Sequence, residues 1–299
     1  MRRSATYASM VVSITLIAAK LTAFFNTDSV AILSSLLDST IDLLAAAVTT
    51  FGVASALRPP DHDHRYGHGK AEPLAALAQA AFITGSSVLL LYEALSRLYH
   101  PQAIKDEDFG YVVMIFAIVL SVSLVIYQHY VVRRAGSMAI NADRLHYMGD
   151  VAVNAAVIVA FGLYQLTGIE WFDPLFAILI ALALTFNAYR IATQALHVLM
   201  DRELPDSDRE KIKTIVRAQS SVRGMHDLRT RTDGERIFIE FHLELDGNMP
   251  IKEAHEIDEA IMRDIHKAFP QADVLVHQDP AGIHEQRLDE QIEVRTARK

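Results

Sequence analysis

Two aspartates four residues apart, Asp38 and Asp42, interrupt an apolar helical run that reads Ile32-Leu33-Ser34-Ser35-Leu36-Leu37 before them and Leu43-Leu44 after. The i, i+4 interval places both carboxylates on one helix face. If that helix crosses a bilayer, each ionised Asp near its centre costs roughly 2.5–3.5 kcal/mol on insertion scales, so the pair demands a compensating partner or a watery path. A pair with the same geometry occurs in His146 and Asp150, at the head of another long apolar run. Laid side by side, the two helices offer three carboxylates and one imidazole, a four-ligand tetrahedral set for a divalent metal such as zinc. One imidazole among carboxylates suits Zn(II), Cd(II) or Fe(II) better than an all-oxygen site would. Each ligand must shed its proton before it holds a cation. Metal and protons then exchange at one place, which is what a proton-coupled exporter needs.

Two further groups carry ligand chemistry. Between Pro60 and Lys70, Asp61, His64 and His68 stand at i, i+3 and i, i+4 spacing that brings them to one side of a turn, a second candidate metal site. The plain alternative is a solvated polar loop. Nearer the C-terminus come His226, His242, His255, His277 and Asp279. Spacing alone does not separate these histidines from ordinary surface residues, although His277 and Asp279 share one side of a strand end. The chain has no cysteine, which excludes disulfides, thiolate sites and cysteine nucleophiles and leaves its 13 histidines as the side-chain nitrogen ligands. No His-Glu-x-x-His pattern occurs, and a site with four protein ligands leaves no position for a hydrolytic water, which argues against a membrane metallohydrolase.

Elements must hold these groups in place. A 51% hydrophobic chain that is also 21% charged implies segregated polarity, a membrane part followed by a water-soluble part. Apolar runs extend over about Ala8–Asn26, Ser29–Leu57, Pro73–Leu98, Gly110–Val132, Leu145–Leu166 and Phe172–Met200, each near or above the ~20 residues of a spanning helix. The first is not a cleaved signal, because Lys20 breaks it and more apolar helices follow at once. Six spans return both termini to one side. Arg2, Arg3, Arg58, Arg65, Lys70, Arg133, Arg134 and Arg144 fall on that side, whereas the opposite loops carry Lys105 against Asp106, Glu107, Asp108 and Glu170. By the positive-inside rule both termini are cytoplasmic. A net charge of -8 and the lack of a long basic patch argue against nucleic acid as a partner.

After Leu204-Pro205 the composition becomes that of a soluble domain. Asp206-Ser207-Asp208 reads as an N-cap and first turn with Ile212, Ile215 and Val216 as the buried stripe. Val222–Thr232 and Arg236–Leu245 read as strands joined at Asp233-Gly234, Pro250–Phe269 as an amphipathic helix, and Ala272–His277 as a last strand. The expected fold is a membrane all-α six-helix bundle over residues 1–203, then an α+β (αββαβ, ferredoxin-like) cytoplasmic domain over 204–284. A charged tail over 285–299 is expected to be mobile.

Leu36-Leu37-Asp38 through Asp42, Tyr66-Gly67-His68-Gly69-Lys70-Ala71-Glu72, His146-Tyr147 with Asp150, Met200-Asp201-Arg202, His226 through Arg231, and His277-Gln278-Asp279-Pro280 together resemble the cation diffusion facilitator family. The likeness covers nearly the whole chain except the tail, and the nearest branch is the bacterial zinc and ferrous-iron efflux pumps. The resemblance implies a multi-pass homodimer of the bacterial inner membrane, a secondary transporter and not an enzyme, exporting Zn(II), with Cd(II) or Fe(II) as further substrates, in exchange for H+. It also implies Asp38, Asp42, His146 and Asp150 as the transport site and Asp61, His64 and His68 as a loop site. By the same resemblance His226, His242, His255, His277 and Asp279 form a paired-metal cytoplasmic site, and Lys70 and Asp201 a charge interlock between protomers. His62 and Asp63 add ligand types beyond the family pattern. A competing reading is a membrane-anchored metal sensor whose helices only anchor it.

Overall fold

The computed structural model describes residues 1–27, 30–99, 108–169, 171–283 and 287–297. It divides into two units, Met1–Leu196 and His197–Lys299. Lys105, Asp106, Glu107 and Glu170 of the expected outer loops lie outside the described residues.

The first unit is built from α1 (Arg2–Thr27), α2 (Val30–Ala56), α3 (Ala71–Tyr99), α4 (Asp108–Ala135), α5 (Met138–Thr167) and α6 (Phe172–Leu199). All six are long and apolar enough to cross a membrane. Phe25, Phe51, Leu89 and Leu166 stand exposed on them, as a helix facing lipid would have its side chains. The apolar run predicted α5 from Leu145, yet the helix begins at Met138. Gly136 leaves α4 in the left-handed region at φ 52, and Ser137 caps α5 by accepting a hydrogen bond from Ile140 N. The added turns therefore carry Asn141, Asp143 and Arg144, polar residues that hydropathy alone assigns to a loop. At the other end Gly168, φ 72, donates its N–H to Tyr164 O and closes the helix.

Small residues let α2 and α3 approach closely. A Cβ on Gly52 would stand 2.3 Å from Ala75 Cβ and 3.1 Å from Ala71 O. Deeper in the bundle Asp143 is buried, and its Oδ2 accepts from Ser9 Oγ (2.6 Å) and Gln128 Nε2 (2.6 Å) while Oδ1 accepts from Gln79 Nε2 (2.8 Å). Gln79 Nε2 also reaches Thr49 Oγ1 at 2.9 Å. One carboxylate thus ties α1, α2, α3, α4 and α5 through charge-assisted hydrogen bonds and one onward bond.

The second unit follows the order α7 (Asp206–Arg217), β1 (Gly224–Thr232), β2 (Ile237–Leu245), α8 (Ile251–Ala268), β3 (Ala272–Pro280) and α9 (Leu288–Ala297). Its first helix starts at Asp206 with Pro205 in the capping position and no side-chain cap, so Asp206 and Asp208 act as first-turn acids and Asp206 is not the N-cap. β2 is central, antiparallel to β1 and parallel to β3. Ile239, Phe241, Leu243 and Leu245 alternate inward and meet Ile212, Val216, Ile261 and Ile265 of the two helices. Glu203 Oε2 accepts from Thr230 N (2.9 Å) and Leu204 N donates to Thr230 Oγ1 (3.0 Å), so the lead-in to α7 is tied to β1. The tail, expected to be mobile, contains α9. Asp227 accepts at Oδ2 from Leu288 N (2.9 Å) and at Oδ1 from Asp289 N (3.0 Å), satisfying the first donors of that helix.

Gly52→Ala should destabilise the first unit by about 1–3 kcal/mol, since neither Ala75 nor a backbone oxygen can yield. Thermal unfolding of the detergent-solubilised protein checks this, and an unchanged midpoint contradicts it. In the second unit burial pushes the Asp258 carboxyl up, against the Gln278 amide that bonds its Oδ2, while Oδ1 is buried with no hydrogen-bond partner. A carboxyl raised in the folded state lends stability that is complete below the ordinary Asp value and is lost as pH climbs through the raised one. Asp258→Asn should therefore shrink the fall in midpoint between about pH 4 and pH 7, and an undiminished fall would count against it.

Candidate metal centre

Helical periodicity places Asp42 on α2 and His146 and Asp150 on α5, and the bundle turns these faces toward each other. His146 Nε2 stands 2.8 Å from Asp42 Oδ1 and 3.9 Å from Asp150 Oδ2. One ligand atom from each of the three lies within 4.8 Å of the others. His146 is 6% exposed, so an imidazole and a carboxylate meet where few waters can solvate them. Asp38, the fourth expected ligand, lines the same cavity of about 320 Å³ but stands outside this close group. Gly149 lines it too, and a Cβ there would meet Leu184 Cδ2 at 2.8 Å. The arrangement offers two carboxylates and one imidazole at bonding range, with a further carboxylate on the cavity wall, a donor set suited to a borderline dication.

Two residues near this group escaped the reading of the sequence. Asp143 lies one turn before His146, and its i, i+3 position was the available signal. Lys20 of α1, read above only as a break in the first apolar run, donates to Ser39 Oγ at 2.7 Å, next in sequence to Asp38.

In the loop, Asp61 Oδ1 accepts from His64 N (2.8 Å) and Asp63 N (3.1 Å), an Asx turn that folds the segment back on itself. His64 Nδ1 is then 3.4 Å from Asp61 Oδ1 and His68 Nε2 3.3 Å from Asp61 Oδ2. The turn brings Asp61, His64 and His68 within reach of one ion. His62 Nδ1 lies 3.6 Å from Asp63 Oδ1, both side chains almost fully exposed and outside that group. The backbone N–H of His64 holds the Asp61 carboxyl below the usual range, so it stays ionised and ready to draw a cation.

In the second unit the sheet register does what helical spacing does in the first. His226, His242 and His277 face one another across β1, β2 and β3 as one row, and Gly224, Glu244 and Asp279 form the next. Ring centroids are 4.9 Å apart for His226 and His242 and 4.7 Å for His242 and His277. Asp279 is the hub. Its Oδ2 is 2.8 Å from His242 Nδ1 and 3.5 Å from His226 Nε2, and its Oδ1 is 3.2 Å from His277 Nε2. The close group is His226, His242 and Asp279; His277 adjoins it through Asp279 and His242 but stands outside it, and His255 is exposed on α8 and also outside, because that helix packs on the face of the sheet opposite the histidine row. Lys70 sits at the head of α3, and Asp201 follows α6 in the left-handed region at φ 55, 3.6 Å from Arg231 Nη1.

Comparison with known proteins matches both units. Residues 6–200 fit the cation efflux transmembrane domain and residues 204–281 the cation efflux protein cytoplasmic domain. The chain is 44% identical over 279 residues to the cation-efflux pump FieF of Shewanella oneidensis, covering 93% of this chain and 94% of that one. It is 42% identical over 281 residues to the pump of the same name from Cronobacter sakazakii, with 94% and 93% covered. The metal-bound C-terminal domain of the CzcD transporter from Thermotoga maritima overlaps at 31% identity and a TM-score of 0.26, covering 26% of this chain and 93% of that one. With family models matching residues 6–200 and 204–281, the chain belongs to the cation efflux, or cation diffusion facilitator, family.

Proposed function

We propose that this protein exports divalent metal from the bacterial cytoplasm across the inner membrane in exchange for protons, with Zn(II) as substrate and Cd(II) and Fe(II) accepted alongside it. The observation that carries this reading is the convergence of Asp42, His146 and Asp150 to within 4.8 Å inside a bundle of membrane-length helices. A dication entering that group replaces the 2.8 Å contact between His146 and Asp42 with two bonds to metal, and Asp38 swings in from the cavity wall as the fourth ligand. Protons arriving from the far side reclaim the same lone pairs and evict the ion. Coupling thus follows from competition for one set of atoms. Outward release requires the helices that share the site to rock between two packings.

On this reading both termini are cytoplasmic and the chain works as a homodimer, with Lys70 and Asp201 as the charge interlock between protomers. The Asp61, His64 and His68 turn captures metal at the membrane surface. The His226, His242, His277 and Asp279 group, joined by His255 when a second ion binds, senses metal and tightens the dimer. A pure sensor finds less support, because a purely anchoring bundle has no need to turn two carboxylates and an imidazole toward one cavity.

Reconstituted into vesicles with an imposed pH gradient, the native protein should move Zn(II) and dissipate the gradient together. Asp42→Asn and Asp150→Asn should each cut that flux by about 100-fold or more, since even outer partners of metal ligands are worth about 10–100-fold. Native-level flux in either variant, or flux indifferent to the gradient, would remove the proposal.

A further inference from the structure

Beside the cytoplasmic group stands a carboxylate that the ligand set does not include. Glu244 shares its cross-strand row with Gly224, and a Cβ on Gly224 would come within 2.6 Å of Glu244 Oε2. A side chain at that position would displace the carboxylate. Through this gap Glu244 leans across β1, and its Oε1 reaches 3.1 Å from His226 Nδ1. That nitrogen is buried in a side chain only 9% exposed and makes no hydrogen bond, although Glu244 Oε1 is its near neighbour. The other ring nitrogen, Nε2, faces Asp279. Arg287 Nη2 holds Glu244 Oε1 from the far side at 2.5 Å.

The anchor of Arg287 returns to the same strand. Between His226 and Arg229 the register of β1 slips at a bulge, and Asp227 adopts the left-handed region there at φ 51. The bulge turns the Asp227 carboxylate away from the ladder, where it caps α9 at Leu288 N and Asp289 N, while Asp227 N donates to Asp289 Oδ2 at 2.9 Å. His226, the bulge, α9, Arg287 and Glu244 therefore close a ring of contacts.

We infer that Glu244 is the positioning residue for His226, and that Arg287 links it to the C-terminal helix. The inference rests on the metal-site reading of the cytoplasmic group given above. As an acceptor, Glu244 draws the ring proton to Nδ1 and so keeps the Nε2 lone pair directed at the ion. A small ring rotation on metal binding straightens the Nδ1–H···Oε1 bond, and the carboxylate fixes the orientation of the ring. Arg287 restrains the carboxylate, so an ordered histidine, an ordered Glu244 and a docked α9 favour one another. The tail helix becomes a reporter of metal occupancy in this domain.

The test uses full-length protein carrying Asp42→Asn and Asp61→Asn, so that zinc binding reads the cytoplasmic group. Glu244→Ala should weaken zinc binding by about 10–100-fold. Glu244→Gln keeps an acceptor for Nδ1–H and should lose less, and Arg287→Ala should fall between native and Glu244→Ala. The ¹⁵N-histidine spectrum of the metal-free protein should place the His226 proton on Nδ1, and Glu244→Ala should mix the two tautomers. Zinc should slow proteolytic clipping of α9 in the native protein and not in Glu244→Ala. Affinity within twofold of native for Glu244→Ala, or a His226 proton resident on Nε2, overturns the role of Glu244. If His242→Ala also leaves zinc binding intact, the metal-site reading itself has failed and this inference falls with it.

Discussion

A contact of 2.8 Å between His146 Nε2 and Asp42 Oδ1 sets the terms for the membrane unit. Polar groups taken out of water must find partners, and the nearest partner of His146 comes from another helix. The contact therefore fixes α2 against α5 in both rotation and depth. Neither helix can roll to bury more apolar surface without leaving a carboxylate or imidazole unpaired, a cost of about 1–3 kcal/mol or more for each orphaned group. The same demand is why the group suits the dication proposed above, which would satisfy all these lone pairs at once.

That contact needs a frame stiff enough to hold it, and Asp143 supplies much of the frame. One turn before His146, its carboxylate accepts from Ser9, Gln128 and Gln79, so α5 is pinned to α1, α4 and α3 just beside the ligands. Close packing at Gly52 and Ala75 sets the approach of α2 to α3. A movement of α5 must carry this polar knot along or break it. The rocking proposed above would leave the knot intact.

The cytoplasmic unit meets the same problem with sheet geometry. Its histidine row exists because β1, β2 and β3 register His226, His242 and His277 side by side, and the row sits opposite Phe241 and Leu243, whose burial forces their strand neighbours to the other face. Asp279 binds the row together from the next register position. Lone pairs are concentrated by helix period in one unit and by strand pairing in the other, so the two sites draw on different parts of the fold for one chemistry.

Much of this was legible from residue order. Six apolar runs declare six spans because burial in lipid needs length and little else. The i, i+4 pairs announce one face, and alternation around Phe241 announces a strand. Where the reading went astray, a polar side chain had found a partner far away in sequence. Asp143 and Asn141 looked like loop until the bundle enclosed Asp143 with Ser9, Gln79 and Gln128 and Ser137 capped the helix before them. The tail looked uncommitted until Asp227 capped it from a bulge in β1. Glu244 carried no local signal at all, since its link to His226 depends on a missing side chain at Gly224.

Residue order by itself determined which atoms were available to bind an ion and which face of each element bore them, since both follow from local period and side-chain chemistry. Tertiary structure alone decided which of those faces meet. It drew Asp42, His146 and Asp150 into one group and left Asp38 on the cavity wall. It seated His277 beside Asp279 and put His255 on an exposed helix. The physical reason is that coordination is a matter of ångströms between chain segments far apart in sequence, and those distances are set by packing and hydrogen bonding across the whole unit.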